Sequence, residues 1–274
     1  MARFGSLCGI FLFQFYFHFN FEVSAENSQP ILGQTKLILS QENCLSNECT
    51  LGAVVADAMA DHFTNDSFRP LAMVDGSIFK KSIPKGDIRK SDVESAISTD
   101  SVINLVPIKK ETIVRLAEQF YSKNDVLQVS GLKIAIDPTK AGTERILTVD
   151  VTNPLDKSWI KMDQQKVYYV AVPSHLSEDV KQASGGNEPT KLTGPSIKAV
   201  FEQYVSKVKV IDGYKAGRVL ICSELVLCKA MPNLAKQVNP PQVVIPHKSA
   251  KSVAKTTTTP NLDNILKSAD ATAL

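Results

Sequence analysis

The sequence predicts an α+β fold, and three observations carry the prediction. Apolar residues recur at helical spacing around residues 51–59, 110–121 and 196–208. Short apolar or alternating runs at 71–74, 102–107, 126–136, 146–151, 167–172 and 218–221 read as strands. The two kinds of segment are mixed without regular βαβ repetition, which suggests helices packed on a mixed sheet.

The first helix follows Cys49 and carries Leu51, Val54, Val55, Ala58 and Met59 on one face. Leu71 to Val74 is a short apolar strand ended by Asp75-Gly76, and Ile83-Pro84-Lys85-Gly86-Asp87-Ile88 is turn chemistry between two short extended pieces. Ser91 with Glu94 three residues later forms a capping-box pattern, so a short helix starts there. Val102 to Pro107 is a strand, and the helix after it buries Ile113, Leu116, Ala117 and Phe120. Val126 to Ile136 alternates around Gly131, and Ile146 to Val151 alternates again after Lys140-Ala141-Gly142, as antiparallel strands do. Val167 to Val172 is an apolar strand closed by Pro173. Ser196 to Val208 is a helix with Ile197, Val200, Phe201 and Val205 inward, and Arg218 to Ile221 is the last strand.

Both ends differ in composition from this body. Arg3, the Phe-rich run Leu7 to Phe21 and the small residues Val23-Ser24-Ala25 have the layout of a cleaved secretory signal over residues 1–25. Gln14, His18 and Asn20 interrupt that run, and no apolar stretch of about 18 residues occurs elsewhere, so no membrane span is expected. The expected domain covers residues 26–228, in a secreted, extracellular protein. Residues 229–274 hold six lysines against Asp263 and Asp270, five prolines and the run Thr256 to Thr259. Such a basic Pro/Thr-rich tail reads as disordered and could contact a polyanion, although a solvated tail without a partner is the plainer reading. No hydrophobic C-terminal segment supports a lipid anchor, and no specific nucleic-acid binding is expected.

Cys8 leaves with the signal, so Cys44, Cys49, Cys222 and Cys228 remain, an even number at spacings compatible with two local disulfide loops. Zinc is the rival, but His62, His175 and His247 keep no ligand spacing with these pairs. No metal or cofactor is expected. Asn65-Asp66-Ser67 is an N-glycosylation acceptor placed just after the first helix. Asp61-His62, the one acidic–His neighbour pair, reads as solvated surface. No Asp-x-His or Asn-His-Glu run, Gly-x-Ser-x-Gly elbow or phosphate-cradling Gly loop occurs.

The stretch Cys44 to Met59, a Cys-x4-Cys-x-Leu-Gly-x4-Asp-Ala-Met pattern, resembles the opening of the C-terminal domain of the 5′-nucleotidases and related insect salivary apyrases. Further pieces resemble that domain in the same order. They are Ile83-Pro84-x-Gly86-Asp87-Ile88 with Asp92 after it, Leu105-Val106 through Leu116, Gln128-Val129-Ser130-Gly131-Leu132, Tyr168-x-Val170-Ala171 and Gly217-Arg218-Val219. The resemblance covers roughly Ile38 to Ile221. It implies a four-layer α/β/β/α arrangement with mixed sheets and a Cys44–Cys49 disulfide, whereas a Cys222–Cys228 disulfide rests on proximity alone. In the family this domain holds the nucleoside of the nucleotide while a separate N-terminal metal domain does the hydrolysis. The pattern begins so soon after the signal that no room for a metal domain is expected.

The resemblance also points to positions for a nucleoside site, and each is substituted. The arginine after the first cysteine falls at Leu45. The family loop Asn-x-Gly-x-Ile-Arg appears as Val74-Asp75-Gly76-Ser77-Ile78-Phe79, so its Asn is Val74 and its Arg is Phe79. The first stacking ring falls near Ser98-Thr99, with Thr99 in its place, and the second falls at His175. The Asp of a Gly-Gly-Asp-Gly loop falls at Lys181, or at Asn187 if Gly185-Gly186 are the glycines. Leu45, Val74 and Phe79 cannot donate the forked hydrogen bonds of arginine, and Thr99 has no π-face. Phe79 could join Val74 and Leu45 in a new apolar binding patch; the plainer reading is that it packs over a site no longer held open. Trp159 reads as core or a loop plug.

The expected function is a secreted, non-catalytic binding protein with a degenerate nucleoside pocket, in an anti-haemostatic salivary setting implied by the resemblance. Its partner would be an extracellular protein or small ligand. The enzyme-class alternative is an accessory chain of a metal-bearing nucleotidase or apyrase, discriminated by metal-dependent nucleotide hydrolysis. The third is a nucleotide scavenger using His175, Lys181 or Asn187, discriminated by binding without turnover.

Overall fold

The computed structural model describes residues 29–187 and 189–222. The expected signal, the tail and Cys228 lie outside the described residues. Among the described residues, twelve strands and five α-helices follow in the order β1 (Ile31–Thr35), α1 (Thr50–His62), β2 (Leu71–Val74), β3 (Gly86–Arg89), α2 (Lys90–Ala96), β4 (Val102–Lys109), α3 (Lys110–Ser122), β5 (Gln128–Ser130) and β6 (Leu132–Ile136). They continue as β7 (Ile146–Thr152), β8 (Trp159–Lys161), β9 (Val167–Pro173), α4 (Ser177–Ala183), β10 (Leu192–Ser196), α5 (Ile197–Val208), β11 (Val210–Ile211) and β12 (Val219–Ile221). The class is the α+β one that the sequence predicts, with mixed sheets between two groups of helices.

The central wall is a five-stranded sheet in the order β10-β4-β9-β2-β5, in which β2 runs parallel to β9 and the other pairs are antiparallel. Successive side chains of a strand leave on opposite faces, and both faces here are apolar. Ala72, Val74, Ile103 and Ala171 enter a first core with α1, α2 and α5. Met73, Val106, Val129, Val170 and Val172 enter a second core with α3, α4 and the four-stranded sheet β12-β6-β7-β8. A small sheet, β11-β1-β3, flanks the first core.

Three local expectations change. Helix α1 is buried on nearly every side rather than on one face, because Ala53, Ala56, Ala58 and Ala60 let β2, β5 and α5 approach closely. The run Val126 to Ile136 divides between two sheets: Gly131, at φ +70°, turns the corner between β5 and β6, a conformation that glycine adopts without steric cost. The antiparallel pairing with Ile146 to Val151 belongs to β6. In α2 the carboxylate that reaches back is Asp92, which accepts from the Arg89 N–H at 2.7 Å. Glu94 instead pairs with Lys198 of α5 at 2.8 Å, since the helix begins at Lys90 and so makes Asp92 its third residue.

The expected Cys44–Cys49 disulfide is formed. The loop it closes is pinned by Gln128, whose Oε1 accepts from the Cys49 N–H at 2.9 Å while its Nε2 donates to the carbonyls of Cys44 and Asn47. Cys49 also caps α1, its Sγ accepting from the Gly52 N–H at 3.3 Å. A Cβ at Gly52 would stand 2.4 Å from Gln128 Cγ, so the glycine is what lets helix and strand meet. Cys222 is disulfide-bonded as well, with its expected partner Cys228 outside the described residues. Among the described residues no helix is long and apolar enough to cross a membrane.

Candidate functional site

The register of the central sheet gathers side chains that are far apart in the sequence. Strands β2 and β9 run parallel, with Leu71 opposite Val170 and Ala72 opposite Ala171, so the segments after both strands emerge side by side. Asp75 follows the one and His175 the other. Strand β4 runs against β9 with Ile103 opposite Pro173, which carries the register on to Ser101 beside His175.

These three residues form one hydrogen-bonded chain. His175 Nε2 lies 2.7 Å from Asp75 Oδ1, and His175 Nδ1 lies 2.8 Å from Ser101 Oγ. Thr99 Oγ1 donates to Ser101 Oγ at 2.9 Å, and Ser77 Oγ donates to Asp75 Oδ2. The side chain of Asp75 is 4% exposed and that of His175 is 32% exposed. Burial alone would push the Asp75 carboxyl up, but the hydrogen bonds from His175 and Ser77 together hold it below its ordinary value. An ionised Asp75 only accepts, so Nε2 carries a proton toward it. With a neutral imidazole, Nδ1 then accepts from the Ser101 hydroxyl. Every donor in the chain therefore faces an acceptor.

The loop beneath is tightly fixed. Asp125 accepts from the Gly76 N–H at 2.9 Å and the Ser77 N–H at 3.3 Å. Burial and the nearby negative charge of Asp75 raise its carboxyl. A Cβ on Gly76 would stand 2.0 Å from the Cys44 carbonyl oxygen, so this loop and the disulfide loop are in direct contact.

The residues expected from the resemblance divide accordingly. His175 joins the hydrogen-bonded chain directly and Thr99 joins it through Ser101. Val74 and Phe79 lie inside the first core, fully buried and 4% exposed, so neither contributes to a surface patch; Leu45, 51% exposed, stands without them. Phe79 is held against Ile97 by an isolated β-bridge. Lys181 pairs with Glu178 on its own helix at 3.8 Å. Asn187 lines a different place, an open cleft of about 440 Å³ shared with Lys109, Arg115, Ser184 and Pro189. Asn65 sits on an exposed turn after α1, with Oδ1 accepting from the Ser67 N–H. Asp61 pairs with Lys207 of α5. Trp159 lies on β8 under the Lys215 ammonium, 4.3 Å from the ring centroid.

Sequence reasoning passed over Asp75, Ser101 and Ser77, although Asp75 and Ser77 lie in the loop it singled out and Ser101 is two residues beyond Thr99. Only the strand register could have joined them to His175. Among the described residues no cluster of three or more His, Cys, Asp or Glu is arranged to hold a metal ion.

Residues 31–183 match the family model described as the 5′-nucleotidase C-terminal domain. The chain is 36% identical over 200 residues to an apyrase of Aedes albopictus and 36% identical over 201 residues to one of Aedes aegypti. Each match covers 70% of this chain and 36% of the relative, so the chain spans little more than a third of their length. In fold it is similar to a 5′-nucleotidase precursor from Thermus thermophilus, with a TM-score of 0.65 at 23% identity over 73% of this chain and 42% of that one.

Proposed function

This chain belongs to the 5′-nucleotidase C-terminal domain family, and from that premise we propose that it is an exported binding protein that neither holds nor hydrolyses nucleotides at the family's nucleoside position. The observation that carries the reading is what occupies that position. Stacking needs exposed aromatic faces, and phosphate recognition favours forked guanidinium donors. Thr99 and His175 are instead tied into hydrogen bonds with Ser101 and Asp75, and Val74 and Phe79 are core residues. A signal-like N-terminal sequence, a disulfide loop and an exposed glycosylation acceptor support an extracellular setting, and the Aedes apyrase relatives support a role related to theirs. The ligand is then an extracellular protein or small molecule, met elsewhere on the surface.

The open cleft beside Asn187 favours a second reading. Its size is within the range of small-ligand sites, and Lys109 and Arg115 bring positive charge to it, that of Arg115 partly met by its ion pair with Glu111 on the same wall. A small anionic ligand held there would make the protein a scavenger.

Calorimetric titration of the disulfide-intact protein with adenosine, AMP and ADP, with phosphate release followed in Ca²⁺ or Mg²⁺, separates these readings. The binding-protein reading expects neither heat nor phosphate. Saturable heat without phosphate, abolished by Arg115→Ala, would move the assignment to the scavenger. Metal-dependent phosphate release would sink both.

A further inference from the structure

The chain Thr99–Ser101–His175–Asp75 has the order of groups that activates a hydroxyl for attack: an alcohol on an imidazole, and the imidazole on a buried carboxylate. We propose that Ser101 is a nucleophile, with His175 as its general base and Asp75 as the positioning residue, that takes acyl groups from small, unhindered esters.

Geometry supports each role. In the imidazole tautomer that carries its proton on Nε2, the Ser101 hydroxyl donates to His175 Nδ1 over 2.8 Å, within reach for direct transfer. Thr99 occupies one lone pair of Ser101 Oγ and leaves the other for attack. The Asp75 carboxylate fixes the imidazole through Nε2 and stabilises the imidazolium that forms, and Ser77 and the sheet fix the carboxylate in turn. His175 is exposed and Ser101 only half-buried, so a small electrophile reaches the hydroxyl from solvent. The three residues come from the ends of three different strands of one sheet, whose register holds them as a unit.

The reaction balances with water as co-reactant. Ser101 Oγ forms a bond to the ester carbonyl carbon as its proton passes to His175 Nδ1. The carbon–alkoxide bond then breaks, and the alkoxide leaves as an alcohol with that proton. Water adds to the acyl-serine with His175 again as base, releasing the carboxylic acid and restoring the hydroxyl. This activity goes beyond the binding role and does not depend on it, so nucleotide titrations leave it untouched.

The test uses the full, disulfide-intact chain and a fluorophosphonate probe, which traps activated serines covalently. Modified residues are mapped by mass spectrometry. Ser101 is expected to label at least about tenfold faster than exposed Ser46 in the same molecule. His175→Gln is expected to slow Ser101 labelling by roughly 10²-fold or more, and Ser101→Ala to remove it. Asp75→Asn should slow labelling and abolish the low-field proton resonance of the imidazole N–H that faces Asp75. Ser101 labelling no faster than Ser46 in the unmodified sequence overturns the proposal, whatever the variants do. Full-rate labelling in a folded His175→Gln protein overturns it too.

Discussion

Glu48 carries a buried carboxylate oxygen, Oε1, with no hydrogen-bond partner among the described residues. Its other oxygen accepts from the N–H groups of Arg218 and Val219 at 2.7 and 3.1 Å, joining the disulfide loop to β12. Burial nevertheless outweighs those donors and the Arg218 charge, and raises the carboxyl above 4.5. The sign follows from proton linkage. A raised value means that the folded protein holds the proton more readily than the unfolded chain. The resulting stabilisation is complete below pH 4.5 and is lost as pH rises through the folded-state value. Asp75 acts oppositely and in a different window, because its lowered value contributes stability above 3.8 that is lost only as pH falls further. Glu48→Gln cannot titrate, so thermal unfolding of both proteins from pH 4.5 to 8 isolates the effect. The difference in melting temperature should move in the variant's favour as pH rises through the folded-state value and then level off. The raised carboxyls of Asp125 and Asp150 are present in both proteins and cancel. A difference independent of pH would refute the assignment.

At the scale of elements, Arg218 of the segment entering β12 staples that strand to α1 and β5. Its guanidinium forks onto Asp57 at 2.9 and 2.7 Å and also donates to the carbonyls of Ala53, Val129 and Lys215. Ser130 adds a hydroxyl donor to Asp57 at 2.6 Å. Burial works against the guanidinium charge, but the Asp57 carboxylate overcomes it and Arg218 is held more firmly protonated. Removing one partner of a buried pair leaves the other uncompensated, at about 3–5 kcal/mol. Arg218→Met is therefore expected to lose that much in chemical denaturation, and Asp57→Asn/Arg218→Met to recover part of it. A double variant worse than the sum of the singles would contradict the staple. This network also explains what could be read in advance. Asp57, Gln128, Ser130, Gly131 and Arg218 all stood in pieces that resemble the family domain, because fixed polar contacts between elements leave local residue patterns. Helix α1 was legible in position but not in burial, since alanines look alike whether they face solvent or another helix. Strand β1 hid because its buried positions are Gly33 and Thr35 while Ile31 is exposed, and helix α4 because it buries only Val180 and Ala183; the site chain was invisible for another reason. Its members at 75, 101 and 175 share no spacing, and only the strand register brings them together.

At the scale of the whole molecule, the described residues are built on one wall with two main cores. Strands β2, β4 and β9 supply both, so neither core can lose its strands without exposing the other's apolar face. Phe201 on α5 is fully buried in the first core, and Leu116 on α3 is 2% exposed in the second. Their truncation costs about 3–5 and about 2–5 kcal/mol, from lost transfer energy and the cavity left behind. They share no core, so their costs should add within about 0.5 kcal/mol. The single tryptophan supplies a local witness, because Trp159 lies on β8, in the four-stranded sheet beyond the second core. If the wall couples the cores, Phe201→Ala lowers the Trp159 fluorescence transition as far as the far-ultraviolet circular dichroism transition, although the substitution lies across the sheet. Were fluorescence to keep its unmodified midpoint while the dichroism moved, the two cores would unfold separately. The central sheet would then be a seam, and the site drawn from the ends of β2, β4 and β9 would adjoin both of the parts it separates.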